Sequence, residues 1–390
     1  MHKILLFLNS TTRNGGSFQY DQTILRAVVA LPFNQYELII VYSDDVWEQY
    51  FPTEIAKRKI HIDALHARFI QILIMIGTSV NVLRRILRYI DPVVREIQRH
   101  HADLYVFPCP TAFWGYLMDG PCLMTIHDLM HRYERNFPEA SGYAHFRYRE
   151  IHMANICKYS KGILSESNVG KEHIVTSYQA SPAKIHVLPY IAPPHIRTLT
   201  DPGNFNSLYN LPQKYVFYPA QFWRHKNHST LIRAIDMVRK ENPDIRLVLV
   251  GAKKNAYQDI ITMVNQLHLN DEVIFYNYIP DHDMAAFYRR ARALVMPTFF
   301  GPTNLPPLEA FAAGCPVAVS NIYGMPEQVG DAALLFDPRS VQDIAKVIKL
   351  LWENDTLCQE LNRKGKLIDA RWDQGAFNRR FAEIIRHLIH

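Results

Sequence analysis

Short apolar runs alternate with longer segments of helical period along the chain, and they do so twice. In the first half the runs are KILLFL (Lys3–Leu8), YELIIVY (Tyr36–Tyr42), LYVFP (Leu104–Pro108), CLMTI (Cys122–Ile126) and GILSES (Gly162–Ser167). In the second half they are YVFYPA (Tyr215–Ala220), RLVLVG (Arg246–Gly251), VIFYNY (Val273–Tyr278), ALVMPT (Ala293–Thr298) and PVAVS (Pro316–Ser320). Each is short, rich in β-branched residues and bounded by turn residues, which predicts strands buried on both faces of parallel sheets. The segments between them, such as HSTLIRAIDMVRKE after Asn227, repeat with helical period. This is the βαβ pattern, with right-handed crossovers expected. Periodicity fades between Pro189 and Pro212, where Pro, Gly and Asn gather, and that stretch predicts a linker. The expected fold class is therefore α/β, with one Rossmann-like, doubly wound parallel-sheet domain at 1–195 and another at 196–372. Ligands of such sheets bind beyond the carboxyl ends of the strands, so two domains facing each other predict a central cleft.

Composition narrows the class without naming an activity. The chain has 390 residues, 48% of them hydrophobic and 21% charged, which fits two soluble globular domains. Five scattered cysteines, with no CxxC pair and no His/Cys cluster, argue against a disulfide framework or a zinc site. They point to a reducing, cytoplasmic setting. The start, MHKILLFLNS, lacks the pattern of a signal peptide. No apolar run is long enough to predict a membrane-spanning helix. The net charge of +6 suits anionic partners such as phosphates, nucleotides or lipid headgroups, and is too dispersed to single out nucleic acid.

Four loops at predicted strand ends carry candidate chemistry. In FFGPTNLPPLEAFAAGCPV (Phe299–Val317), prolines sit in a helix's first turn and Gly314 with Pro316 ends it. The N–H groups of Thr303, Asn304 and Leu305 would face an anion, helped by the helix dipole. Glu309 lies a turn further on, where a carboxylate can accept two hydrogen bonds from a ribose diol. A plain βα loop with Glu309 balancing the dipole fits the same residues. In YPAQFWRHKNHSTLIRA (Tyr218–Ala234), Arg224, His225 and Lys226 precede a helix, as a diphosphate site or as a solvated basic turn. In LNSTTRNGGSFQYDQTIL (Leu8–Leu25), Gly15 and Gly16 allow close backbone approach to a ligand, or simply make a tight turn. The GxGxxG dinucleotide fingerprint is absent there. In CLMTIHDLMHRYERNFPE (Cys122–Glu139), His127 and Asp128 follow a buried strand, and His127 is placed to bond a hydroxyl, move a proton or cap the backbone.

Taken together, TIHD, HKN…LIRA, VLVG, VIFYNYIP, PPLEAFAAGCPV and GMPEQVGDAALLFDP occur in an order and spacing that resembles family 4 glycosyltransferases. The resemblance covers nearly all of the second half, and the first half through GG and HD. It implies the GT-B fold, a nucleotide-sugar donor held by the C-terminal domain, and transfer with retention at the anomeric carbon. It implies that the C-terminal helix at 373–390 returns to the first domain. Lys226 then looks like the diphosphate lysine, Glu309 like the second Glu of the Glu-x7-Glu motif that binds ribose, and His127 like the donor-sugar histidine. Gly15 and Gly16 resemble the first glycine loop, and Val273 and Phe275 fall where the nucleoside would lie. Asp128 and Asn304 are placed toward the acceptor or sugar, and Glu327 matches a Glu often found after the motif.

The sequence also departs from that pattern. The first Glu of Glu-x7-Glu falls at Gly301, and the usual Gly-Phe-Gly is Pro302-Thr303-Asn304. Gln221 stands where an arginine commonly pairs with the lysine, and Asn277 where a glycine is common. The expectation is a branch in which Asn304 and backbone donors replace the missing acid and Arg224 supplements Lys226. A glycan or polyprenyl-linked acceptor is expected, in surface-polysaccharide synthesis. A non-catalytic GT-B glycan-binding or partner subunit and a nucleotide-sugar epimerase are the alternatives. No metal or other cofactor is expected, and DHD at Asp281–Asp283 reads as a helix N-cap rather than a metal motif. Finally, HARFIQILIMIGTSVNVLRRILRYI (His66–Ile90) mixes a dense apolar pattern with Arg68, Arg84, Arg85 and Arg88. It fits either core packing or the anionic, inner-leaflet surface of a membrane.

Overall fold

A computed structural model describes residues 1–197 and 205–390. The predicted linker falls partly on residues 198–204, outside the described residues. Two compact units result. The first comprises Met1–Asn136, Ala140–Pro189 and Gln374–His390; the second comprises Phe137–Glu139 and Tyr190–Asp373.

The first unit is built on a sheet of seven strands: β1 (His2–Leu8), β2 (Tyr36–Tyr42), β3 (Ala56–Lys59), β4 (Leu104–Phe107), β5 (Cys122–Thr125), β6 (Gly162–Ser165) and β7 (Ile185–Val187). Their order is β3-β2-β1-β4-β5-β6-β7, and every neighbouring pair is parallel. The apolar run of β1 has no exposed face, because helices cover both sides of a parallel sheet. Helix α1 (Gly16–Val29) follows β1, and the last helix, Gln374–Ile389, packs on α1 with Phe377, Phe381 and Ile385 buried. Helices α2 (Ala64–Met75) and α3 (Val80–Ile90) follow β3.

The second unit holds six parallel strands: β8 (Val216–Pro219), β9 (Leu247–Val250), β10 (Val273–Tyr276), β11 (Ala293–Met296), β12 (Val317–Ser320) and β13 (Ala333–Phe336). Their order is β10-β9-β8-β11-β12-β13. The α/β class with two parallel sheets is as the sequence predicts. Three strands lack a readable signal. β3 is AKRK, a fully exposed, charged edge strand; β7 has three residues; β13 is read in sequence only as part of a longer motif. Cations on an edge strand discourage pairing with another sheet, and they also erase the apolar pattern.

Strand order reverses once in each sheet, between β1 and β4 and between β8 and β11. In open α/β sheets the loops leaving such neighbouring strands splay apart and leave room for a ligand.

Candidate functional site

At the β8/β11 reversal, the loop leaving β8 tightens into a 3-10 turn at Arg224–Lys226. Asn227 then enters the left-handed region at φ 60°, a conformation Asn tolerates better than most residues. Its buried amide donates to the carbonyls of Pro297 (2.9 Å) and Pro338 (2.8 Å). Tyr218 Oη donates to the Lys226 carbonyl at 2.9 Å, and the Phe299 N–H donates to His225 O at 2.8 Å. The loops from β8 and β11 are thus laced together before any ligand arrives. Across them, Lys226 Nζ donates to Asn304 Oδ1 at 3.1 Å.

Asn304 is held by two devices that sequence reasoning does not reveal. Gln328, on the short helix Met325–Val329, grips its main chain: the Asn304 N–H donates to Gln328 Oε1 (3.0 Å) and Gln328 Nε2 donates to Asn304 O (2.7 Å). Gly301 has φ +118°, and a Cβ there would lie 2.5 Å from Asn304 Nδ2. The Asn304 amide therefore fills the space that a side chain at 301 would take, and any L residue there would be strained at this φ and would have to displace that amide. The Asn304 N–H is engaged, so it is not one of the free donors expected at this helix start. The Thr303 hydroxyl is buried with no hydrogen-bond partner among the described residues. The helix Leu305–Ala313 starts at once and ends at Gly314, φ 78°.

Glu309 is buried on that helix, 7% exposed, and accepts from Tyr288 Oη at 2.5 Å. Burial pushes its carboxyl up to about 7, against the lowering effect of Tyr288. Arg224 is turned away: its guanidinium pairs with Asp259 at 2.6 Å in an exposed bridge, and its N–H donates to Asn255 Oδ1. Gln221 accepts from Trp223 Nε1 at 3.0 Å, and Glu327 is exposed. Val273 is not brought to these loops, whereas Phe275 reaches the loop leaving β8 through Phe222. Val273 opens β10 inside the core, and Phe275 packs against the rings of Phe222 and Tyr257. DHD is not an N-cap either. The helix begins at Asp281 itself, after Pro280, and Asp283 is buried, accepting from Tyr209 Oη at 2.5 Å. No three His, Cys, Asp or Glu side chains gather as a metal site among the described residues.

The second unit also takes in Phe137–Glu139. Glu139 accepts from the His225 N–H (2.9 Å) and from Asn255 Nδ2 (2.9 Å), with His225 Nδ1 at 2.5 Å. Phe137 stacks on Phe299. Burial would raise the Glu139 carboxyl, but its hydrogen bonds hold it below the usual range. A carboxylate of the chain itself thus already occupies the amide next to Lys226.

In the first unit, His127 follows β5 and hydrogen-bonds Glu166 through Nδ1, while Tyr20 meets its ring edge-on at 4.9 Å. Glu166 directly follows β6 and is 2% exposed. Asp21, on α1 behind Gly15 and Gly16, is fully buried. One oxygen accepts from Ser10 Oγ at 2.5 Å, and the other has no hydrogen-bond partner among the described residues. Burial pushes Asp21 up to about 7, Ser10 and His127 opposing. Burial alone would lower His127, but Glu166, Asp21 and Asp128 outweigh it and raise its pKa. Asp128 is itself tied to Arg149 (2.7 Å) and the Met130 N–H (2.8 Å), which hold it below the usual carboxylate range despite its burial. Sequence reading finds His127 but not Glu166 or Asp21, which reach it only through the sheet.

Residues 204–367 match the family described as glycosyl transferases group 1. The match takes in Lys226, Asn304, Glu309 and Gln328, and leaves out His127, Glu166 and Asp21. The O-antigen chain mannosyltransferase B of Escherichia coli is 30% identical over 145 residues, 37% of this chain and 38% of that protein. The O-antigen chain mannosyltransferase RfbU of Salmonella typhimurium is 25% identical over 226 residues, 58% of this chain and 59% of that one. The chain thus spans less than two thirds of either relative. Among solved structures, Anabaena Alr3699/HepE in complex with UDP and glucose superimposes with a TM-score of 0.73 at 16% identity, covering 99% of this chain and 100% of that one. The likeness establishes the fold, GT-B with two Rossmann-like parallel-sheet domains.

Proposed function

We propose that the protein is a retaining glycosyltransferase that moves a hexose from a nucleotide-sugar donor to a glycan or polyprenyl-linked acceptor, in the synthesis of a surface polysaccharide. One observation carries the reading: Lys226 meets Asn304 at the β8/β11 reversal, beside a helix N-terminus and a buried, unpartnered Thr303 hydroxyl. The match to glycosyl transferases group 1 and the relatives named as mannosyltransferases support it.

In this reaction the bond between the anomeric carbon and the diphosphate oxygen breaks, and its electron pair leaves with the diphosphate. The acceptor oxygen bonds that carbon from the same face, and its proton passes to a phosphate oxygen. Lys226 and the dipole of helix Leu305–Ala313 stabilise the developing charge. Glu309 takes the ribose hydroxyls through the oxygen that Tyr288 leaves open. In the first unit, His127, its pKa raised by Glu166 against the lowering effect of burial, serves as a hydrogen-bond donor to a hydroxyl.

The test is incubation with a panel of nucleotide sugars and a glycan acceptor. Acceptor-dependent release of nucleoside diphosphate, lost in Lys226→Ala, and an unchanged anomeric configuration in the product are expected. Sugar interconversion without acceptor would instead mark an epimerase, and binding without turnover a partner subunit.

A further inference from the structure

Helices α2 and α3 are apolar on two sides. Ile70 and Ile74 of α2, and Val80, Leu83 and Leu87 of α3, face the core and are buried. On the opposite side of α2, Leu65, Phe69, Ile72 and Ile76 follow one another at spacings of four, three and four, a single helical face. They are 78%, 56%, 45% and 62% exposed. On α3, Val82, Ile86 and Tyr89 repeat the pattern and are exposed as well. A helix apolar on both faces is ordinarily covered on both, and a contiguous exposed apolar patch marks an interaction surface.

Charge selects the occupant. Arg68, Arg85 and Arg88 are exposed on these helices, and neither helix contains an acid. Arg84 is not part of this set, because its Nε donates inward to the Tyr116 carbonyl at 2.9 Å. A second copy docking through the same face by a two-fold axis would set these arginines against their own equivalents. An anionic surface has the complementary charge. The patch also adjoins a cavity of about 550 Å³, which Ala67 and Ile90 share with a wall of Arg58, Lys59, His61 and His66. Most of the charge in that lining is already paired: Lys59 with Asp45, His66 with Asp91 and Arg58 with Glu96. Glu96 lies among Arg58, Arg99 and His100, and Asp63 accepts from the amides of Leu65 and His66.

We propose that α2 and α3 lie in the surface of an anionic phospholipid bilayer, apolar stripes among the acyl chains and Arg68, Arg85 and Arg88 at the depth of the headgroups. In-plane amphipathic helices with arginines at headgroup depth are what interfacial binding requires. The inference rests on the first unit alone and is independent of the transfer reaction.

Vesicle flotation of the full chain tests it, with phosphatidylcholine vesicles made with and without phosphatidylglycerol. The protein should float only with phosphatidylglycerol present, and added salt should release it. Each of Arg68→Gln, Arg85→Gln and Arg88→Gln should lower the partition coefficient about fivefold. The double variant Phe69→Ser, Ile86→Ser should stay at the bottom. Leu367→Ser, an equally exposed apolar residue of the second unit, should float like the parent. All these side chains are exposed, and unchanged melting temperatures would show that the variants fold. The proposal is overturned if the parent chain ignores anionic vesicles, or if the Phe69, Ile86 variant floats like the parent. It is equally overturned if that variant only breaks up an oligomer in gel filtration. Nucleotide binding, measured separately, can fail without touching this result.

Discussion

The two units place opposite chemistry at the ends of similar sheets. At the β8/β11 reversal of the second unit, an ammonium, an amide and a helix start converge, and a carboxylate already sits on the same loop. Around His127 in the first unit, one buried acid, Glu166, bonds the imidazole, and a second, Asp21, helps to raise its pKa. The first arrangement meets an anion with no change of protonation. The second is suited to holding or passing a proton. The difference teaches that a shared topology fixes where a site lies and not what it does.

The sharpest way to break this contrast is at Lys226. Replacement by Ala should weaken nucleoside diphosphate binding roughly 100-fold by calorimetry, the upper range for a charge-assisted contact. A monophosphate should lose much less, and equal losses would place the lysine away from the diphosphate. Next in size is Glu309. Its folded pKa of about 7 lies above its unfolded value near 4.5, so its contribution to stability is complete below pH 4.5 and is lost as pH rises through about 7. Glu309→Gln should remove that loss and stabilise the fold at about pH 8 by on the order of 2 kcal/mol, with no gain at pH 4. A melting profile unchanged across this window would mean the carboxyl is ionised and solvated.

The first unit is probed by Glu166→Gln. Removing the carboxylate removes the partner that favours imidazolium, so the His127 pKa should fall in an NMR titration. An unmoved pKa would assign the work to Asp21 and Asp128. Smaller again, Gln328→Ala frees the Asn304 main chain and should cost nucleotide affinity about fivefold, with Lys226 intact. The smallest effect belongs to Arg224→Ala, about twofold or less, since its exposed pair with Asp259 already occupies it.

The legible parts of this molecule are local ones. Ten apolar runs appear as strands because β-branched residues between turn signals leave a pattern. The charged AKRK of β3 and the three residues of β7 leave none. Lys226 and Asn304 each stand out within their own loops, but their contact joins residues 78 positions apart. Glu166 reads as the tail of a strand and Asp21 as one polar position in a helix, and only the sheet order brings either to His127. Gln328 is hidden beside Glu327, the residue that the family pattern singles out. Val273 shows the converse: its place in the pattern suits a nucleoside contact, and the fold buries it in the core.

The central claim is that Lys226 and the loop of Asn304 receive the diphosphate of a nucleotide sugar. A crystal structure of the full chain with a bound nucleoside diphosphate tests it most directly. The account predicts a phosphate oxygen within hydrogen-bond reach of Lys226 Nζ, the Thr303 hydroxyl engaged, and the ribose at Glu309. A nucleotide seated elsewhere, with the Lys226–Asn304 contact undisturbed, would contradict it.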